Sequence, residues 1–193
     1  MELLTQEEGE IAVRIARGAV EYAILKKPKP AIKAPPLFTD KRGVFVTLTK
    51  NGLLRGCIGF PYPVMPLADA IEHVAVAAAL EDPRFPQVRK NEVPDLALEV
   101  TILTVPESLA GEPADRPRYV EVGRHGLIVR GFGTSGLLLP QVATEYGWDA
   151  PAFLDHTCEK AGLPHRCWTY GNVDVLTFEG QIFSGSFGEN RLT

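Results

Sequence analysis

Residues 44–60 read Val44-Phe45-Val46-Thr47-Leu48-Thr49, then Lys50-Asn51-Gly52, then Leu53-Leu54-Arg55-Gly56-Cys57-Ile58-Gly59-Phe60. Two β-rich runs flank Asn-Gly, the pair that most readily takes positive φ at both central positions of a type I′ turn. The stretch is therefore a β-hairpin. If Asn51-Gly52 is the two-residue turn, Cys57 falls opposite Val46 and Arg55 opposite Leu48. Period-2 geometry then puts Arg55 and Cys57 on one face of their strand.

Working outward, Thr5 and Glu8 have the spacing of a capping box, with Ile11, Ile15, Ala19 and Tyr22 recurring at helical period to about Lys27. Pro28, Pro30, Pro35 and Pro36 make residues 26–42 an extended surface connector rather than a helix. A second helix begins near Pro66, carries Leu67, Ile71, Val74 and Ala78 as its stripe, and stops before Pro83. Residues 96–104 alternate as a strand, and the polar, Pro-rich stretch 106–117 is a candidate boundary. Strands near 127–130 and 137–139 flank a glycine-rich turn. A helix follows at 151–162 and one or two strands at 173–183. Hairpins and helices in this mixture predict an α+β fold, mainly antiparallel and flanked by helices, without βαβ alternation. There is no internal repeat.

The bulk numbers narrow the function. With 193 residues, 20 basic against 24 acidic side chains and a net charge of −4, the chain lacks the basic excess of a general nucleic-acid binder. Apart from Phe38, the lysines in the connector have no interleaved aromatics for base stacking, so they read as a solvated loop. No apolar run approaches the roughly 20 residues of a membrane span, and Met1–Glu10 does not resemble a signal peptide. Three cysteines without a C-x-x-C pair suggest reduced thiols and a cytoplasmic setting.

Chemistry concentrates around Cys57. A guanidinium beside a thiol favours the nucleophilic thiolate, of which an ordinary thiol with a pKa of about 8.5 holds only about 3% at pH 7. Gly56 and Gly59 fit a strand that a ligand or another backbone approaches closely. A cysteine facing Val46 is equally well a small buried hydrophobe, although that leaves Arg55 a charge in want of a partner. Glu99 sits mid-strand, where Arg55 or Arg84 would be a natural partner. His125 opens a strand, where an imidazole can serve as general base. In Asp82-Pro83-Arg84-Phe85, Arg84 can bind an anion, or Asp82 can hold loop amides while Phe85 plugs the core.

Two further patterns read as structure. Gly131-Phe132-Gly133-Thr134-Ser135-Gly136 has the form G-x-G-x-x-G, but Leu137-Leu138-Leu139-Pro140 follows it as a strand, so it is a hairpin turn and not a dinucleotide fingerprint. His156, Cys158, His165 and Cys167 are four zinc-type ligands within twelve residues. Cys158 falls in line with Leu154 and Ala161 toward the core while His156 points away, so the set does not converge and no metal or cofactor is expected.

The segment Leu54–Gly59 resembles the signature hexapeptide of the AMMECR domain family. Gly43–Leu48, Asp82–Phe85, Gly126–Ile128, Leu137–Val142, Gly147–Asp149 and Lys160–Leu163 also resemble that family in its order, so the similarity spans nearly the whole chain. The resemblance implies one domain over 1–193 in two lobes, a larger one of 1–115 with 171–193 and a smaller one of 116–170, with a site in the cleft between them. It brings no settled activity. It does imply an association with Memo-type and radical-SAM proteins. Two functions follow as expectations. One is a thiol-dependent enzyme acting on a small molecule or peptide through Cys57, Glu99 and His125, with Arg55, Gly56, Gly59 and Arg84 binding the ligand. The other is a non-catalytic module recognising an anionic ligand or a partner protein.

Overall fold

The computed structural model describes residues 3–188. The hairpin forms as expected: β1 (Val44–Lys50) and β2 (Leu53–Phe60) are antiparallel, and Asn51 and Gly52 take φ of 52° and 77°. Its register is the finding that matters most. Thr49 pairs with Leu54 and Leu48 with Gly56, which leaves Arg55 as the extra residue of a β-bulge. Beyond the bulge every residue of β2 is turned over, because a one-residue slip exchanges the faces of a strand. Cys57 therefore lies opposite Thr47, not Val46.

The chain divides into two compact units, one of residues 1–103 with 181–193 and one of 104–180. The sequence boundaries, near 115 and 170, lie elsewhere. The difference arises because β4 (Glu107–Ser108) pairs with β7 (Asp174–Phe178), and β7 with β5 (Gly126–Gly131), which draws both flanking stretches into the second unit.

In the first unit, β3 (Leu96–Leu103) pairs antiparallel with β1, and β8 (Gly180–Ser186) completes a sheet in the order β2-β1-β3-β8. Val44, Val46 and Leu48 of β1 and Leu96, Leu98, Val100 and Ile102 of β3 are buried, alternating with half-buried or exposed neighbours. One face is thus core. It is covered by α1 (Gln6–Leu25), whose capping box at Thr5 and Glu8 is formed, and by α2 (Leu67–Leu80). The other face carries Phe45, Thr47, Thr49, Cys57, Gly59, Ala97, Glu99 and Thr101, none of them fully buried.

The second unit holds the antiparallel sheet β4-β7-β5-β6, with β6 at Thr134–Leu138. The glycine-rich motif is the β5–β6 hairpin turn, with Phe132 and Gly133 at positive φ. Gly136 lets the sheet approach α4 (Ala150–Lys160), since a methyl group there would stand 2.2 Å from the Ala161 nitrogen. One helix escapes the sequence reading: Pro140 is the first residue of α3 (Pro140–Tyr146), where a missing N–H costs nothing, rather than the end of a strand.

Cys158 and Cys167 form a disulfide between α4 and the following turn, both sulfurs buried. The expectation of three reduced thiols is corrected to one, Cys57. Their bond removes both cysteines from any zinc set. His156 and His165 instead share the Glu159 carboxylate, and His156 stacks on Trp148 at 3.9 Å. No helix among the described residues is long and apolar enough to cross a membrane.

Candidate functional site

Cys57 sits in β2, at the edge of the first sheet, so its backbone N–H and C=O would project from that edge without partners. The turn after α2 supplies them. The N–H donates to Asp82 Oδ2 at 2.8 Å, and Arg84 Nη2 donates to the carbonyl at 3.2 Å. Arg84 also gives its own backbone N–H and Nε to Asp82 Oδ1 at 3.0 Å, and Nη2 to Oδ2 at 2.7 Å. Asp82 and Arg84 together stand where a neighbouring strand would. Pro83 separates them without contributing a competing N–H.

Asp82 is 5% exposed. Its hydrogen bonds from the Arg84 side chain, helped by the two backbone N–H groups, outweigh burial and hold its carboxyl well below the usual carboxylate range. Arg84 is raised in turn, first by Asp82 and to a smaller degree by the Cys57 side chain. Its guanidinium bonds the Cys57 carbonyl and lies over the Phe85 ring at 5.6 Å.

The bulge sends the Cys57 side chain to the open face of the sheet, where it is half-buried and accepts a hydrogen bond from the Thr47 hydroxyl at 3.3 Å. Thr47 pairs with Cys57 on one side and Glu99 on the other. Side chains of paired residues share a face, so Cys57, Thr47 and Glu99 form a row across three strands. Two strand spacings put the Cα atoms of Cys57 and Glu99 about 10 Å apart. Glu99 is exposed and makes no ion pair or hydrogen bond among the described residues.

The other expected residues serve different ends. Arg55 does not reach Glu99. Its Nε and Nη2 fork onto Glu92 at 3.2 Å each, while Lys50 and the Arg89 N–H also donate to Glu92. These donors, Arg55 foremost, lower the Glu92 pKa from 4.5 to about 2. Gly56 admits α2, because a methyl group on it would stand 2.0 Å from the Ala78 carbonyl oxygen. Gly59 is covered by the Phe45 ring. His125 belongs to the second unit, where its Nδ1 accepts the Glu121 N–H at 3.1 Å and closes a turn. Sequence reasoning missed Thr47 and Glu92 as partners. Thr47 follows from the bulge, whereas nothing local in Asn91-Glu92-Val93 marks Glu92.

The comparisons agree with this frame. A model of the AMMECR1 family matches residues 13–183. A protein of Methanosarcina mazei is 50% identical over 186 residues, covering 94% of this chain and 93% of its own. One of Methanothermobacter thermautotrophicus is 50% identical over 183 residues, covering 93% and 95%. The crystal structure of the uncharacterized protein PH0010 from Pyrococcus horikoshii is similar with a TM-score of 0.77 at 46% identity, covering 96% of this chain and 95% of that one.

Proposed function

The chain belongs to the AMMECR1 family, and from that premise we propose that it is a thiol-dependent enzyme acting on a small molecule or peptide through Cys57. The observation that carries the reading is the bulge at Arg55, which sets the Cys57 thiol on the open sheet face under the Thr47 hydroxyl, while Arg84 Nη2 holds the Cys57 carbonyl.

Acyl transfer is the chemistry these parts suit. Sγ gives its proton to solvent as it attacks the acyl carbon, the C–S bond forms as the bond to the leaving group breaks, and the leaving group departs as an anion that takes a proton from solvent. Water or an amine then releases the acyl group. In this reading Arg84 stabilises the negative charge that develops on the acyl oxygen, a role preorganised donors fill in many acyl-transfer sites. The clasp on the Cys57 backbone holds the nucleophile still while this happens. His125, its Nδ1 already engaged in the second unit, has no part in this reading.

The test uses p-nitrophenyl acetate with the whole chain. We expect acetyl transfer to Cys57, seen by peptide mass spectrometry, to be absent in Cys57→Ser and slowed about tenfold or more in Arg84→Ala. A native chain that stays unacetylated at Cys57, while the urea-unfolded chain is modified, would overturn the proposal. The remaining reading would then be a non-catalytic module for an anionic ligand or partner protein, which the half-exposed Arg84 favours.

A further inference from the structure

We propose that the Cys57–Thr47–Glu99 row selects substrates carrying a cationic, amine-bearing group next to the reacting centre, with Glu99 as the residue that reads the charge. The inference rests on the thiol reading above and adds the substrate class.

The charges around the row decide its sign. Arg84 bonds the Cys57 carbonyl, but it is locked to the buried Asp82 carboxylate by three hydrogen bonds from its backbone N–H, Nε and Nη2. That pair sums to zero and acts on a ligand as a short dipole, with its positive end toward the Cys57 carbonyl. Arg55, through Nε and Nη2, and Lys50, through Nζ, converge on Glu92 beside the turn end of the hairpin. Glu99 is different. It is exposed, mid-strand, and in register with Thr47, and no cation among the described residues pairs with it.

A carboxylate in mid-sheet with no partner among the described residues is poor packing chemistry. β3 alternates buried Leu98 and Val100 around Glu99, so the residue contributes nothing to the core. Its flanks on the same face are Ala97 and Thr101, too short to screen it. A ligand laid across the strands would have its reacting carbon at Cys57 and the oxygen bearing developing charge toward Arg84. A substituent reaching toward β3 would then meet Glu99 about 10 Å from the thiol-bearing Cα, two strand spacings away. An ammonium fits there and a carboxylate is repelled. Thr47, between the two, is short enough to leave the path open.

The test uses charged and neutral thiol reagents, because Cys57 is the one free thiol of the chain. Cationic 2-aminoethyl, anionic 2-sulfonatoethyl and neutral methyl methanethiosulfonate each convert Cys57 to a mixed disulfide and release methanesulfinate. Rates would be read by intact mass with the whole chain at pH 7 and roughly 10 mM salt, where screening is weak. We expect the cation-to-anion rate ratio to fall about four- to tenfold in Glu99→Gln, to be retained in Glu99→Asp, and to shrink in wild type as salt is raised to about 0.5 M. The neutral reagent should react with wild type and Glu99→Gln within about twofold of each other.

An unchanged ratio in Glu99→Gln, with the neutral rate intact, overturns the charge selection and leaves the thiol reading standing. A native Cys57 that the neutral reagent does not label overturns the thiol reading itself.

Discussion

Glu92 gathers Arg55, Lys50 and the Arg89 N–H into one cluster, and its carboxyl titrates near 2 rather than 4.5 as a result. A folded-state pKa below the unfolded value contributes stability that is fully present above about 4.5 and is lost as the pH falls toward 2. The Glu92 side chain is 17% exposed and Lys50 32%, so solvent screens part of the gain, leaving about 1–2 kcal/mol. Wild type should therefore be more stable than Glu92→Gln by that margin at pH 6 in urea titrations, and the margin should close between pH 4.5 and 2. A margin that is the same at pH 6 and pH 2.5 would show that the cluster works by packing alone. At this scale the sequence was partly legible. Arg55 was recognised as a charge needing a partner, but Glu92 is 37 residues away and only the folded chain joins them. For Asp82-Pro83-Arg84-Phe85, Asp82 does hold amides, those of Cys57 and Arg84, but Phe85 is only half-buried and does not plug the core.

The hairpin was legible from its turn and illegible in its register, and one contact explains both. Without the bulge, Cys57 would face the helices and Gly56 the open side. Helix α2 runs so close to β2 that only a residue without a side chain fits, and the bulge puts Gly56 there. The signal was present in the simple register, which sets Arg55 opposite buried Leu48 on the core face, an arrangement a charged side chain resists. Gly56→Ala should accordingly cost about 2–4 kcal/mol, since the clash at 2.0 Å is with the Ala78 backbone and no side chain can swing away. Gly171→Ala, with nothing within 4 Å, should stay within about 0.5 kcal/mol of wild type. Equal costs in thermal or urea unfolding would mean that β2 can lift from α2 freely. α3 shows the complementary limit: Leu137-Leu138-Leu139 is an apolar run whose end at Pro140 fits a strand terminus and a helix start equally well.

At the scale of the molecule the α+β class was legible, because Asn-Gly turns, helical stripes and alternating runs all act locally. Which residues belong to which unit was not, since strand pairs such as β4 with β7 are long-range. The disulfide was hidden for the same reason. Nine residues of separation do not reveal that Gly162 and Arg166, both at positive φ, fold the chain back until the Cys158 and Cys167 Cα atoms are 6.1 Å apart. Each unit has its own buried cluster, and Cys158 and Cys167 lie within that of the second. Closing so short a loop stabilises by roughly 2–3 kcal/mol in the chain-entropy account. The pair Cys158→Ala with Cys167→Ala should thus loosen the second unit selectively. Native-state hydrogen exchange should then show faster exchange across 126–138 and 174–178, with 44–60 and 96–103 protected as in wild type. Faster exchange throughout both units would mean that they unfold as one cooperative block, and unchanged exchange everywhere would mean that packing around α4 holds the second unit without the bond.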